Sequence, residues 1–264
     1  MGPTDAPNPY AAPRAELDEA PKTSALSPSL QDAIEGRYDF TVGEVMDEAW
    51  RLVKGMKASF WGAAIVIGLI YLVFDTICGL IFGLFLGDDP GFAMKQTFEG
   101  VIGALMTPFT MGLQMMCVRR ALGMPISFST AFSFFPRAGV ALGGALLVLV
   151  LTMLGTVLLI IPGIYLTVAY SLTTQLIADR ELPAWDAMET SRSAITRKWW
   201  RVLGLFLLVG LLTGVSALGL LIPLIWTIPW AMMATAVLYK RIFYSSPPPA
   251  AAASVAPVGS PAPV

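Results

Sequence analysis

Long apolar blocks alternate with short charged ones from Thr41 to Tyr244. No charged residue occurs from Ala138 to Ala178, or from Val202 to Tyr239. Each of these runs is about twice the ~20 residues that a crossing helix needs, so each predicts two crossings. Ala58 to Gly87 carries one charge, Asp75, and predicts the first crossing. The second is expected from about Gly100 to Val118, kinked at Pro108 and ended by Arg119-Arg120. Crossings three and four are expected to join at Ile161-Pro162-Gly163, and five and six near Pro223.

A mixed segment leads into each pair. Thr41-Val42-Gly43-Glu44 fits a capping box. After it Val45, Ala49, Leu52, Val53, Met56 and Phe60 recur at helical spacing, with Asp47, Glu48, Arg51, Lys54 and Lys57 on the opposite face. Such a helix suits the headgroup region, as do Trp50 and Trp61. A stripe of Phe128, Ala131, Phe132 and Phe135 precedes crossing three. Leu182 to Arg201 precedes crossing five, with Trp185, Met188, Ala194 and Ile195 opposite Asp186, Glu189, Arg192 and Arg197. The predicted fold is all-α and polytopic: six transmembrane helices as three helical hairpins, each preceded by a cytoplasmic interfacial amphipathic helix. In that arrangement every Lys and Arg except Lys95 lies on one side, which the positive-inside rule makes cytoplasmic, together with both termini. Residues 1–36 and 245–264 read as disordered Pro/Ala-rich tails around a membrane domain at 37–244.

The same order of lead, crossing, turn and crossing recurs at 41–124, 125–181 and 182–244. Pro108 stands as far before Arg119-Arg120 as Pro229 does before Lys240-Arg241, and Val168 before Asp179-Arg180. This alignment makes Gln114, Thr174 and Thr235 equivalent, all polar within apolar sequence.

Composition agrees with a membrane protein: 56% hydrophobic and 13% charged, against roughly 25% charged in soluble domains. The net charge of −1 offers nothing to nucleic acid. Cys78 and Cys117 lie in apolar runs and read as small core residues. The chain has no histidine, which excludes His-based acid–base catalysis, His-containing triads and His metal sites. No phosphate loop, paired-carboxylate spacing or metal-ligand cluster occurs, so neither a cofactor nor an enzymatic activity is expected. Asp88-Asp89 before Pro90-Gly91 reads as a polar turn.

Two groups stand out. A charged Asp75 near mid-crossing costs at least about 2.5–3.5 kcal/mol on insertion scales, so it should face a bundle interior, a cavity or a partner. One reading is a proton or ion relay with Gln114, Thr174 or Thr235 as hydrogen-bond partner; the other is a protonated Asp bonded to a neighbouring helix, or a first crossing that ends early so that Asp75 nears the far surface. The second group, Arg197-Lys198-Trp199-Trp200-Arg201, combines charge with indole rings and is expected to contact anionic lipid headgroups, at about 1 kcal/mol per basic residue.

The run IIPGIYLTVAYSLTTQLIADRELPAWDAMETSRSAITRKWW and the earlier TVGEVMDEAWRLVKG resemble bacterial multi-pass membrane proteins of the kind found as the membrane domain fused to some glycerophosphoryl diester phosphodiesterases. The likeness spans about residues 38–243, and its motifs are mostly structural. It implies architecture and a bacterial cytoplasmic membrane. It does not imply phosphodiesterase activity, because the catalytic domain is absent and its histidines have no counterpart. The expectation is a non-enzymatic integral protein of that membrane, engaging membrane lipids, a protein partner or a second copy of itself. The alternative is a small transporter or channel-like carrier using Asp75.

Overall fold

The computed structural model describes residues 30–86, 91–218 and 223–244, and every regular element among them is helical. Most of both expected tails, and the Asp88-Asp89 turn, lie outside the described residues. The helices are α1 (Leu30–Ile34), α2 (Val42–Val53), α3 (Lys57–Leu86), α4 (Phe92–Leu105), α5 (Thr107–Ala121), α6 (Ala138–Leu158), α7 (Ile160–Ala169), α8 (Thr173–Asp179), α9 (Ala184–Thr196), α10 (Trp199–Leu218) and α11 (Leu224–Phe243).

Four stretches are long and apolar enough to cross a membrane: Ala58–Phe85, Phe128–Leu158, Ile160–Asp179 and Trp199–Leu218. A fifth arises if Met94–Leu105 and Thr107–Ala121, bent by 60°, count as one span. The expected sixth, α11, falls short of that mark. Trp226, Pro229, Trp230 and the terminal Lys240-Arg241 dilute its apolar residues. From Pro229 to Phe243 it is mostly buried, packed against α2, α5 and α10, so protein rather than lipid meets much of its surface.

The core lies toward one end of the bundle. In α3 the buried residues are Phe60, Ala63 and Ile67, and none is buried from Gly68 to Phe85. In α10 they are Val202, Leu205 and Val209, and none is buried from Gly210 to Leu218. The packed ends are those that carry Arg119-Arg120, Asp179-Arg180 and Lys240-Arg241.

Thr41 caps α2, its hydroxyl accepting from the Glu44 N–H at 3.3 Å. The expected apolar face of α2 is real, but it faces protein: Val45, Ala49 and Val53 are buried in the core between α2, α5 and α11. The lead to crossing three is not an α-helix. It is two 3-10 turns, Phe128–Phe132 and Phe135–Arg137, the first closed by a Ser127–Thr130 capping box and the second opened by Pro136. The first turn docks its backbone directly on α5. A Cβ at Gly112 would stand 1.7 Å from the Ala131 carbonyl oxygen, so only glycine permits the approach.

Two further boundaries differ from expectation. The chain reverses at the extended residue Leu159, and Pro162-Gly163 sits in the first turn of α7, where Pro is tolerated. Gly163 serves packing instead, since a Cβ there would fall 2.1 Å from the Thr156 hydroxyl of α6. The N-terminal tail also ends earlier than residue 36. Helix α1 packs on α9 and α11, with Ala33 buried.

Candidate ligand site between two broken helices

Two helical stretches are interrupted, one by a 60° bend at Met106 and one by a short turn at Tyr170 to Leu172 inside the span Ile160–Asp179, and both interruptions border one open pocket. The first lies at Met106. Pro108, in the first turn of α5, has no N–H for the Ala104 carbonyl, and its ring excludes a straight helix there. The Met106 N–H closes α4 on Ile102 O at 3.0 Å, and the Thr107 hydroxyl donates to Gly103 O at 3.3 Å.

The second break, Tyr170 to Leu172, contains neither Pro nor Gly. It is held from outside by Ser191 of α9, a fully buried residue. The Ser191 hydroxyl donates to Ala169 O at 2.7 Å and accepts from the Leu172 N–H at 3.3 Å. It therefore replaces helical bonds lost at the break. Ser191 can do so because α9 buries the stripe Ala187, Met188, Ser191, Ala194 and Ile195 against the body of the protein.

Between the breaks lies an open pocket of about 340 Å³, called the cavity below. Helices α4 and α5 contribute Gly103, Ala104 and Thr107; α6 contributes Gly144, Val148 and Thr152. The other wall is Thr167, Tyr170, Ser171, Thr173 and Thr174. Among the described residues no charged side chain lines it. Thr173 is 3% exposed. Its hydroxyl and those of Thr152 and Ser171 are buried and have no hydrogen-bond partner among the described residues. At 1.5 Å per residue, the lining lies about 10–20 Å along the helices from Arg120, Arg137 and Arg180.

Of the polar residues singled out from sequence, the cavity includes Thr174 alone. Gln114 lies on α5 with its side-chain carbonyl buried and without a partner. Thr235 donates to Ala231 O of its own helix at 3.2 Å. Asp75 is half-buried on the unpacked part of α3 and is not part of the lining. The residues that sequence reasoning missed are Thr152, Ser171, Thr173 and Ser191. For Ser191 a signal existed: it is the one hydroxyl on the otherwise apolar stripe of α9.

The basic cluster is engaged internally. Arg201 and Lys198 bind the Asp39 carboxylate at 2.5 and 2.8 Å. Lys198 also donates to Tyr38 O and lies over the Tyr38 ring, 4.8 Å from its centroid. Arg197 donates to Ile34 O at 3.2 Å. The indole N–H of Trp199 reaches Tyr165 O at 3.4 Å, and Trp200 is 79% exposed. The cluster thus clasps the segment Leu30–Phe40, whose Ala33, Tyr38 and Phe40 are buried. The hydrogen bonds from Lys198 and Arg201 hold the Asp39 carboxyl down at about 2.

Two more carboxylates tie the packed ends. Glu48 receives Lys240 at 2.8 Å and Arg241 at 2.7 Å. Burial opposes ionisation of Glu48, but these bonds outweigh it and keep its carboxyl below the ordinary value. Asp179 accepts from the Tyr239 and Tyr244 hydroxyls at 2.6 and 2.7 Å.

Among the described residues no group of three or more His, Cys, Asp or Glu is placed to hold a metal ion. Compared with known proteins, the chain matches no family model, no curated protein and no solved structure.

Proposed function

We propose that this chain is a non-enzymatic, six-crossing protein of the bacterial cytoplasmic membrane, and that the cavity between its broken helices binds a small solute that it carries across the bilayer. In this reading α4 and α5 form one bent crossing, and α11 is a crossing shielded by its neighbours. With the four apolar spans they make three hairpins, each entered by a cytoplasmic lead, with both termini in the cytoplasm. The pairing leaves Lys95 as the one basic residue outside. The bacterial setting rests on the motif resemblance alone.

The carrier reading rests on one observation: the bend at Met106 and the interruption at Tyr170 to Leu172 border the same open pocket, lined in part by Thr and Ser residues. Irregular backbone within a membrane is tolerated only where it is buried in protein or lines a cavity. Discontinuous helices at the midplane are also how many carriers hold their solutes. Asp75 plays no part in this proposal; the cavity takes its place.

A second reading, contact with membrane lipids, keeps one observation of its own. Trp50, Trp185 and Trp200 are exposed on or beside the lead helices, where indole rings favour the membrane interface. Arg197, Lys198 and Arg201 have internal partners and are not needed for this contact.

Cysteine accessibility tests the carrier reading. Ser171→Cys, in a chain with Cys78→Ser and Cys117→Ser, should react with a water-soluble maleimide in membrane vesicles. Failure to react, while a lipid-soluble maleimide labels a cysteine placed at the exposed Leu211, would mean that water does not reach the cavity.

A further inference from the structure

We infer that an open groove between α2, α10 and α11 holds one phospholipid whose headgroup ends in a primary ammonium. The ammonium sits on Asp47, and an acyl chain lies between α10 and α11. This deepens the lipid-contact reading, on which it rests, and makes no use of the carrier reading. The groove measures about 390 Å³. Helix α2 contributes Asp47 and Trp50 to it, and α10 contributes Leu212 and Val215.

The polar groups along the groove are satisfied except at one end. Ser216 and Thr227, which also line it, donate their hydroxyl protons to Leu212 O at 2.7 Å and Pro223 O at 3.3 Å, one turn back on their own helices. The Trp230 indole N–H donates to Met46 O at 3.3 Å. Leu212 and Val215 are exposed. The wall made by α10 and α11 therefore suits hydrocarbon. Asp47 is different. Of the three carboxylates on α2, Glu48 holds Lys240 and Arg241, and Glu44 stands 4.0 Å from Arg241. Asp47 is exposed and makes no hydrogen bond or ion pair among the described residues.

Asp47 also lies where a headgroup belongs. Its neighbour Glu48 binds the terminal Lys240-Arg241 of α11, and Phe40, just before α2, accepts from Arg201 through its carbonyl. In the six-crossing reading these basic residues mark the cytoplasmic ends of the helices. At 1.5 Å per residue, Ser216 and Thr227 lie about 20 Å along their helices from Arg201 and Lys240. Half of the ~30 Å hydrocarbon core is about 15 Å, so the groove can follow a chain through one leaflet. A primary ammonium complements a lone carboxylate in charge and gives it charge-assisted hydrogen bonds. Arg51, one turn beyond Asp47 and likewise without a partner among the described residues, is placed for the phosphate of the same headgroup. A choline head keeps the positive charge but has no N–H to donate. A glycerol head has no cation.

The test is native mass spectrometry of the full chain in mild detergent. The protein is equilibrated with equal amounts of phosphatidylethanolamine, phosphatidylcholine and phosphatidylglycerol carrying identical chains. Ser216→Phe fills the groove, and Leu211→Phe, exposed on the same helix outside the lining, is its control. One phosphatidylethanolamine should be retained, preferred about tenfold over the other two, as for one hydrogen bond to a charged group. Asp47→Asn should abolish the preference. Ser216→Phe should abolish retention, and Leu211→Phe should keep it. Equal retention of the three lipids, or a preference unchanged in Asp47→Asn, overturns the headgroup assignment. Retention unchanged in Ser216→Phe overturns the groove as the site. Retention of no lipid overturns both. The lipid-contact reading falls with them only if lipids brominated on their chains also leave the indole fluorescence of the protein unquenched in vesicles.

Discussion

Ser191 holds open the helix that ends at Ala169: its hydroxyl donates to the Ala169 carbonyl at 2.7 Å from a position with no solvent exposure. The same oxygen accepts from Leu172 N–H. Ser191→Ala strands a buried carbonyl and a buried amide at the cavity wall. An unsatisfied buried polar group costs about 1–3 kcal/mol, so the variant should unfold at a lower temperature by that equivalent. Ser193→Ala, two residues on and bonded to Glu189 at an exposed site, should change little. Thermal melts of both proteins in detergent decide the matter. Equal melting would mean that the break between α7 and α8 needs no support from α9.

Gly112 and Gly103 lie on opposite sides of the Met106 bend and should respond oppositely to a methyl group. At Gly112 the added Cβ meets the Ala131 carbonyl oxygen at 1.7 Å, and that oxygen belongs to backbone that cannot swing aside. Overpacking of this kind costs about 1–3 kcal/mol or more. At Gly103 the space is open, and Ala in a helix interior gains about 0.5–1 kcal/mol over Gly. Folded yield and melting temperature of the two alanine variants should therefore fall on opposite sides of the parent. A benign Gly112→Ala would mean that the Phe128–Phe132 turn does not dock where it is described.

The contrast between the two breaks shows what was legible in the sequence. Pro108 announced the first, because its missing N–H acts locally on its own helix. Nothing announced the second, because the group that sustains it, Ser191, arrives from 22 residues further along the chain. Long apolar runs likewise revealed α3, α6 and α10, whose surroundings are set by their own composition. They did not reveal that the apolar face of α2 would be claimed by α5 and α11 instead of lipid. The partners of Arg197, Lys198 and Arg201 stayed hidden for a similar reason. A basic cluster carries no local sign that Asp39 and the Ile34 carbonyl will come to meet it. Thr174, aligned with Gln114 and Thr235 in sequence, lines the pocket, and Thr152 and Thr173 line it with no signal in the sequence to mark them.

The clasp on the N-terminal segment should weaken in acid. Asp39 and Glu48 both have folded-state values below their ordinary 3.8 and 4.5. A depressed carboxyl contributes stability above its unfolded value, and that contribution is lost as the pH falls through the folded one. For Asp39 the loss runs from about 4 down to about 2. Asp39 is exposed, so the effect is local rather than global. Amide hydrogen exchange in Leu30–Phe40 should rise across this window relative to that in α9. Asp39→Asn should show the raised exchange already at pH 7 and lose the acid dependence. Exchange independent of both pH and the substitution would mean that Lys198 and Arg201 do not anchor the segment.

Asp75 is the most conspicuous residue in the sequence and should prove dispensable to the cavity. It sits beyond Ile67, the last buried residue of α3, and the helix that carries it contributes nothing to the lining. Removing its charge should, if anything, ease insertion of the first crossing, since a charged Asp at mid-membrane is disfavoured by about 2.5–3.5 kcal/mol on insertion scales. Asp75→Asn is therefore expected to accumulate in the membrane at least as well as the parent. It should melt within about 0.5 kcal/mol equivalent of it, as for a site outside the core. Labelling of Ser171→Cys by the water-soluble maleimide should also be unchanged in the double variant. A melting temperature lowered by many degrees would give Asp75 a packing partner that the bundle does not show. Loss of maleimide labelling, with stability intact, would return it to the solute path.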